Sequence, residues 1–338
     1  MIELIRFQCI DKELQEDIKD VNPVPILRIN NMIRIIFYLR DCIKINILLF
    51  IFFITLMLSS CSLLHSPTPA PVPVKPAKIA VVLGGGGSKG FAHIGVLKVL
   101  EAQNIPIHMV VGTSAGSLVG SLYASGKSAF DLQGIALKMD KDNVIDYDWK
   151  IWSGGLIKGD KLENFINTNL KNTPIEKLKI PFYAVATNIA TGEETVFARG
   201  NTGMAVRASC SVPAIFHPLK IGNSTYVDGG VVSPVAVDVA RRNGADIVIA
   251  VDISGGLNKE VPDGIMDTMK KSVNIMYSKI AEYQIKNADV VIRPDMKDIG
   301  STDMDKFNEA IFEGEKAATL KIPELQKIIA RLKQEGRL

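Results

Sequence analysis

The first residue that could do chemistry is Ser114, in the pentapeptide Gly112-Thr113-Ser114-Ala115-Gly116. This G-x-S-x-G pattern follows an apolar run and precedes small residues that predict the start of a helix. In such a nucleophile elbow the serine lies at the apex of a tight turn, and the flanking Gly112 and Gly116 let strand and helix pass closely. The pentapeptide alone fits an ordinary strand-to-helix turn equally well.

A serine nucleophile needs a proton acceptor, and histidine is the usual one. The chain has four histidines, namely His65, His93, His108 and His217. His65 lies in a proline-rich stretch, we expect His93 and His108 to be structural, and His217 remains open. Asp228 is the better candidate, because a short β-prone run delivers it just before Gly229-Gly230. The alternative is an Asp-Gly turn without chemistry.

A third feature is the glycine-rich loop Gly84-Gly85-Gly86-Gly87-Ser88-Lys89-Gly90. It follows the apolar run from Lys78 to Leu83 and precedes a helical pattern from Phe91 to Gln103. Free backbone N–H groups in such a loop can stabilise an oxyanion. Lys89 can orient the loop or face lipid headgroups, and a solvated surface lysine is the alternative.

The elements that must position these residues alternate between strand and helix. Further strands are predicted at Ile180–Thr187, Asp246–Val251 and Val290–Ile292. This alternation predicts an α/β domain with a mostly parallel sheet. In such a sheet both loops fall at the carboxyl edge of the strands, where these folds place their sites.

The same glycines outline a dinucleotide fingerprint, Gly85-x-Gly87-x-x-Gly90. That motif needs an acidic residue at the end of a strand about 20 residues later. The segment from Pro106 to Met109 contains no acid, and Glu101 still falls within the first helical pattern. We therefore disfavour nucleotide binding.

Composition limits the remaining classes. The formal net charge is +3 over 338 residues, so the basic balance of a nucleic-acid-binding protein is missing. The four cysteines show neither metal-ligand spacing nor a disulfide framework. We expect no metal ion, no cofactor and no nucleic-acid partner.

The amino-terminal part predicts export. Residues 1–40 form a leader without a motif, and the true start can lie downstream at Met32. Residues 41–61 then resemble a lipoprotein signal peptide, with an apolar run from Ile45 to Leu58 that ends in Leu58-Ser59-Ser60-Cys61. We expect Cys61 to be lipidated and to anchor the protein, with the outer membrane favoured. A transmembrane anchor and a cleaved signal with an incidental cysteine are the alternatives.

The rest divides into a tether, a catalytic domain and a tail. Residues 62–77 are proline-rich and predict an extended spacer. Residues 78–262 are expected to form the catalytic domain, in which Trp149 and Trp152 pack a surface helix on the core; a mobile cover for an acyl chain is the alternative. Residues 263–338 are expected to be helical and packed on that domain. A stripe of apolar residues in this tail is expected to belong to the core, with a lipid-contact face as the alternative: Met266, Met269, Val273 and Met276.

Four motifs in this order resemble the patatin-like phospholipase family, including its bacterial lipoprotein members. They are Gly85–Gly90, Gly112–Gly116, Ala208-Ser209-Cys210-Ser211-Val212-Pro213 and Asp228-Gly229-Gly230. The resemblance covers roughly Lys78 to Asp252 and implies a three-layer α/β/α sandwich with a mostly parallel central sheet.

The resemblance also implies site residues and an activity. Ser114 would be the nucleophile of a Ser–Asp dyad with Asp228, without a histidine. The oxyanion hole would be drawn from the glycine loop: Gly85, Gly86, Gly87, Lys89 and Gly90. The implied function is a serine acyl hydrolase that cleaves ester bonds of membrane phospholipids or lysophospholipids. The alternatives are a non-enzymatic binding lipoprotein and an esterase or thioesterase on other acyl substrates.

Overall fold

The computed structural model describes residues 24–60, 74–139, 144–148, 155–255 and 261–338. The lipidation candidate Cys61, residues 62–73 of the predicted tether, and Trp149 and Trp152 lie outside these ranges, so those expectations stay predictions.

The chain divides into two compact units, Met1–Pro73 and Val74–Leu338. In the first unit, one helix, α1, runs from Val24 to Ser60. The helix therefore continues through the boundary that the sequence suggested at residues 40 and 41. Within the described ranges, no helix is both long enough and apolar enough to cross a membrane.

The second unit is built on one eight-stranded sheet. The strands are β1 (Ile79–Leu83), β2 (Met109–Thr113), β3 (Phe182–Asn188), β4 (Glu194–Phe197), β5 (Leu219–Ile221), β6 (Ser224–Asp228), β7 (Ile247–Val251) and β8 (Val290–Ile292). Hydrogen-bonded neighbours follow the order β5-β6-β3-β2-β1-β7-β8, and β4 also pairs with β3. Strands β3, β2, β1, β7 and β8 are parallel to one another, whereas β4, β5 and β6 are joined by antiparallel pairings.

Helices connect and cover these strands. They are α2 (Ala92–Ala102), α3 (Ala115–Ala124), α4 (Ala129–Leu137), α5 (Asp160–Asn169), α6 (Thr202–Ser209), α7 (Val237–Arg242), α8 (Ile265–Gln284), α9 (Phe307–Thr319) and α10 (Ile322–Gln334). Short 3-10 turns at Gly87–Phe91 and Gly229–Val231 follow β1 and β6.

The core has two layers because alternate residues of a strand face opposite sides of the sheet. In β1, Ile79, Val81 and Leu83 pack against helices that include α2, α3 and α10. Ala80 and Val82 face the other layer, which α7 and α8 cover. This is the predicted three-layer α/β/α sandwich, and the prediction is confirmed.

The carboxyl-terminal helices join the same unit in different ways. Leu325 and Leu332 of α10 are buried in the core layer that β1 contributes to. On α8, Ala281 packs in the opposite layer. The expectation that the α8 stripe belongs to the core is wrong for the residues that can be judged: Met269, Val273 and Met276 are 56%, 54% and 57% exposed. The face that carries Ala281 covers the sheet, so the stripe is turned outward.

Candidate active site

Ser114 lies at the junction of β2 and α3 with a strained backbone. Its φ is +52° and its ψ is −124°, a combination that non-glycine residues seldom adopt. The close approach that the flanking glycines permit is visible here, because a Cβ on Gly112 would lie 2.5 Å from the Gly116 carbonyl oxygen. A Cβ on Gly116 would overlap the carbonyl oxygen of Leu83 at the end of β1. The turn therefore aims the Ser114 side chain away from the sheet edge, and the residue is only 6% exposed.

The register of β3 brings Asp228 to this turn. Val185 pairs with Thr113 of β2 and also with β4, whereas Ala186 pairs with Asp228 of β6 and also with β4. Strand β3 has two edges. Because β4 pairs along one of them, β2 and β6 must both pair along the other edge, one after the other. The last residue of β2 and the last residue of β6 are therefore opposite consecutive residues of β3.

The end of α6 and the residues just after it tie these two strand ends together. The Ser114 N–H donates to Ser209 Oγ at 2.9 Å, and Ser209 Oγ donates in turn to the Val185 carbonyl. The Asp228 N–H donates to the Ser211 carbonyl at 2.8 Å. Sequence reasoning noticed this block only as part of a resemblance and gave Ser209 no role. Its hydroxyl holds the backbone of the candidate nucleophile.

Asp228 is 5% exposed, and burial raises the pKa of its carboxyl from 3.8 to about 6. Oδ1 accepts a hydrogen bond from the Gly230 N–H at 2.7 Å. The Ser114 hydroxyl is close enough to lower the pKa of Asp228 in part. However, Oδ2 has no hydrogen-bond partner among the described residues. Serine and carboxylate are therefore neighbours, without an aligned hydrogen bond to Oδ2.

The glycine loop follows β1, the strand beside β2. Its first two amides are already engaged, because the Gly84 N–H donates to the Val251 carbonyl and the Gly85 N–H to the Pro234 carbonyl at 3.1 Å. The N–H groups of Gly86 and Gly87 have no hydrogen-bond partner among the residues that the structure describes. Of the amides of Gly85, Gly86 and Gly87, those of Gly86 and Gly87 are the ones left free.

The other two members of the predicted oxyanion set make different contacts. Lys89 Nζ donates to the Ser254 carbonyl at 3.3 Å, and burial lowers the pKa of this ammonium group. Gly90 adjoins Ala115, and a Cβ on Gly90 would lie 2.6 Å from the Ala115 Cβ. The observed contacts of Lys89 and Gly90 support the loop and pack it against α3.

The described histidines are placed away from the role of a base. His93 Nε2 lies 2.7 Å from the Gly84 carbonyl oxygen, and burial lowers the pKa of His93 to about 4. His108 Nδ1 accepts the Ile79 N–H at the start of β1. The Nε2 atom of His217, which the sequence left open, lies 3.4 Å from Asp148 Oδ2. Within the described ranges, no three His, Cys, Asp or Glu side chains are grouped to hold a metal ion.

A strained serine on a strand-to-helix turn, a buried carboxylate beside it and two free glycine amides form one site. Such a site on an α/β sheet is typical of hydrolytic enzymes that use a serine nucleophile. The arrangement can transfer an acyl group from an ester to the serine and then to water.

Comparison with known proteins shows what this chain is similar to. Residues 81–241 match the family model described as patatin-like phospholipase. An uncharacterized NTE family protein of Mycobacterium tuberculosis is 30% identical over 193 residues, which are 56% of this chain and 53% of the relative. Lysophospholipase NTE1 of Pyricularia oryzae is 33% identical over 195 residues, 56% of this chain and 13% of that protein.

The chain thus spans about half the length of the mycobacterial relative. Among solved structures, VipD from Legionella pneumophila has a TM-score of 0.48 at 12% sequence identity, covering 73% of this chain and 66% of that one.

Proposed function

We propose that this protein is a lipid acyl hydrolase that cleaves ester bonds of phospholipids or lysophospholipids. Ser114 is the nucleophile, and Asp228 is its general base. Support comes from the family match over residues 81–241 and from the lysophospholipase name of the fungal relative. The observation that carries the proposal is the register of β3, which pairs Val185 with Thr113 and Ala186 with Asp228.

The reaction has two steps. Ser114 Oγ attacks the ester carbonyl carbon while its proton passes to Asp228, and the N–H groups of Gly86 and Gly87 stabilise the oxyanion. When the intermediate collapses, Asp228 returns the proton to the leaving alcohol, and an acyl-serine remains. Water, activated by the same carboxylate, then releases the fatty acid and restores Ser114.

Burial is what makes an aspartate suitable for this role. A free Asp has a pKa of about 3.9 and is a weak acceptor for a serine proton. With its pKa raised to about 6, Asp228 is a stronger base and is still mostly ionised at pH 7. The unpartnered Oδ2 is free to accept the proton when the serine rotates toward it. Catalytic hydrogen bonds are often loose without substrate and tighten in the complex.

The test uses the full chain with vesicles of phosphatidylcholine and, separately, micelles of lysophosphatidylcholine. Released fatty acid is measured for the wild type and for Ser114→Ala. Ser121→Ala is the matched control, because Ser121 lies on the same helix and its hydroxyl donates only to the Leu118 carbonyl. We expect Ser114→Ala to fall to background and Ser121→Ala to keep wild-type turnover.

The outcomes separate the alternatives. Release of fatty acid that persists in Ser114→Ala would disprove the nucleophile. Turnover of a thioester or a short p-nitrophenyl ester without turnover of either lipid would point to an esterase or thioesterase. No turnover of any acyl substrate by a folded wild type, and no labelling of Ser114 by a fluorophosphonate, would support a binding lipoprotein.

We further propose that Cys61 carries a lipid anchor, with the outer membrane as the favoured location. The support is the apolar run from Ile45 to Leu58 and the Leu58-Ser59-Ser60-Cys61 sequence that ends it. Incorporation of labelled palmitate into the wild type but not into Cys61→Ala is the expected result. Equal labelling of both would refute the anchor.

A further inference from the structure

Tyr277 on α8 has a buried hydroxyl whose proton has no acceptor among the described residues. Its Oη is inaccessible to solvent and has no hydrogen-bond partner among the described residues. The residues around it on the same helix are exposed, as the values for Val273 and Met276 show. A tyrosine that buries its polar end and leaves it unpaired usually loses about 1–3 kcal/mol relative to a paired hydroxyl. Phenylalanine at this position would avoid that loss.

The hydroxyl is buried at the candidate active site. A Cβ on Gly85 would collide with Tyr277 Oη and would lie 3.0 Å from the Ser114 Cβ. A Cβ on Gly230 would collide with the Tyr277 ring and would lie 3.0 Å from Asp228 Oδ1. The phenol therefore enters between the glycine loop and the turn after β6, with Ser114 on one side and Asp228 on the other.

Burial, together with the charges of Asp228 and Asp252, raises the pKa of the Tyr277 phenol well above its usual value, and the nearby Gly85 N–H opposes this shift only in part. The group is therefore neutral at physiological pH and has one proton to donate. Asp228 Oδ2 is itself without a partner, so the two groups are neighbours but are not hydrogen-bonded to each other. A donor kept dry and unpaired beside a nucleophile is suited to an acceptor that arrives with the substrate.

We propose that Tyr277 is a further catalytic residue, whose hydroxyl donates a hydrogen bond to the oxyanion formed when Ser114 attacks the ester. It works alongside the amides of Gly86 and Gly87, which directly follow the Gly85 that Tyr277 Oη adjoins. A neutral phenol suits this task, because tyrosine hydroxyls are among the side-chain donors that stabilise oxyanions. This inference rests on the proposed acyl hydrolysis.

The test is Tyr277→Phe, which removes one oxygen and keeps the ring that packs against Gly230. Removing one oxyanion donor costs about 10²–10³-fold in kcat, and we expect a loss of that size with little change in KM. The melting temperature should stay equal or rise, because the deleted hydroxyl has no partner to lose. Tyr283→Phe is the matched control, since Tyr283 is on the same helix and is 70% exposed. It should behave as the wild type.

A second readout isolates the transition state. A trifluoromethyl ketone forms a tetrahedral adduct with a serine nucleophile and so mimics the oxyanion. We expect Tyr277→Phe to weaken inhibition by this ketone by the same factor as the loss in kcat/KM, while binding of a non-hydrolysable ether lipid stays unchanged. Equal weakening of ketone and ether binding would overturn the proposal, because it would indicate a packing role.

The remaining outcomes are also decisive. Activity of Tyr277→Phe within twofold of the wild type would refute the oxyanion role. An increase in activity would refute it too, and would show that the phenol blocks the site. If instead the wild type itself lacks Ser114-dependent turnover, the proposed function fails, and that result is separate from a failure of Tyr277 alone.

Discussion

Two loops meet at the site, the glycine loop after β1 and the Ser114 turn after β2. They contribute different groups to it. Both follow neighbouring parallel strands, β1 and β2, and both lead into a helix on the same face of the sheet. The loop after β2 presents a side chain, because the backbone at Ser114 is forced to a φ of +52°. The loop after β1 presents backbone amides, because Gly86 and Gly87 have no side chains to cover them.

The difference lies in what holds each loop. The Ser114 turn is held through its backbone, by Ser209 Oγ on its N–H and by the tight contact of Gly116 with β1. The glycine loop is held at its ends, by the carbonyls of Val251 and Pro234 at one end and of Ser301 at the other. Strain at one loop positions the proposed nucleophile, whereas anchored ends at the other leave two N–H donors free.

The largest loss of activity is expected when Ser114, on the loop after β2, loses the carboxylate of Asp228. Asp228→Asn keeps the size of the side chain and an acceptor for the Gly230 N–H, but it removes the proposed base. General-base catalysis is worth about 10²–10⁴-fold, so we expect kcat on a short p-nitrophenyl ester to fall by about 10³-fold or more. A residual rate within tenfold of the wild type would mean that another group accepts the serine proton.

The same variant carries its own folding control. The folded-state pKa of Asp228 is raised, so its contribution to stability is present below about pH 3.8 and is lost as the pH rises through about 6. The amide that replaces this carboxyl in Asp228→Asn does not titrate. Relative to the wild type, the variant should gain about 2–3 kcal/mol of unfolding free energy between pH 4 and pH 8. Urea unfolding at the two pH values measures this, and no relative gain would place Asp228 in a solvated environment.

The next largest loss of activity is expected from a change in the glycine loop. Gly87→Ala introduces a methyl group where φ is +62° and where it would collide with the Ser301 carbonyl. We expect the loop to shift and kcat to fall by about 10²-fold. Gly192→Ala is the matched control, because Gly192 also has a positive φ of +72° but nothing lies within 4 Å. If both variants lose activity equally, backbone strain rather than placement of the amides is responsible.

A tenfold change in kcat/KM per pH unit is expected when only the ionisation of Asp228 changes. The base must be ionised to accept the serine proton, so kcat/KM should be flat above about pH 6 and fall tenfold for each unit below it. A profile measured from pH 4.5 to pH 8 checks this. A midpoint near pH 4 would mean that Asp228 is solvated in the working enzyme.

Sequence patterns predicted both loops well because each is local. Glycines and a serine after an apolar run define a turn within a few residues, and the parallel sheet then places both turns at one edge. The approach of Asp228 is not local. It depends on β3 pairing with β2 and then β6 along one edge, and no short pattern encodes such a register.

Helix α8 is a second feature that short sequence patterns did not predict. Its apolar spacing resembles that of a core helix, but the face that meets the sheet is the one that carries Ala281, and the stripe lies on another face. The stripe at Met269, Val273 and Met276 is therefore exposed. Tyr277 of the same helix lies at the candidate active site, although the sequence analysis did not predict it there. A lone tyrosine in a helical segment gives no signal of a dry hydroxyl beside a nucleophile.

The smallest effect is expected from the two histidines that support β1 at opposite ends. His93 lies beside the Gly84 carbonyl after the strand, and His108 accepts the Ile79 N–H before it. Because the pKa of His93 is lowered to about 4, the ring is neutral at pH 7 and donates through Nε2. His93→Phe leaves a buried carbonyl unpaired, which costs about 1–3 kcal/mol of stability. We expect only a few-fold loss in kcat from the slackened loop, and partial rescue by His93→Gln.

His108→Phe should cost similar stability and leave kcat unchanged, because it unpairs an N–H at the end of β1 remote from the glycine loop. Urea unfolding and ester turnover, measured side by side on both variants, separate support of the fold from support of the loop. If His108→Phe lowered kcat as much as His93→Phe, the loss would follow from general destabilisation of β1. The geometry of the glycine loop would then depend on the whole of β1 and not on the His93 ring beside Gly84.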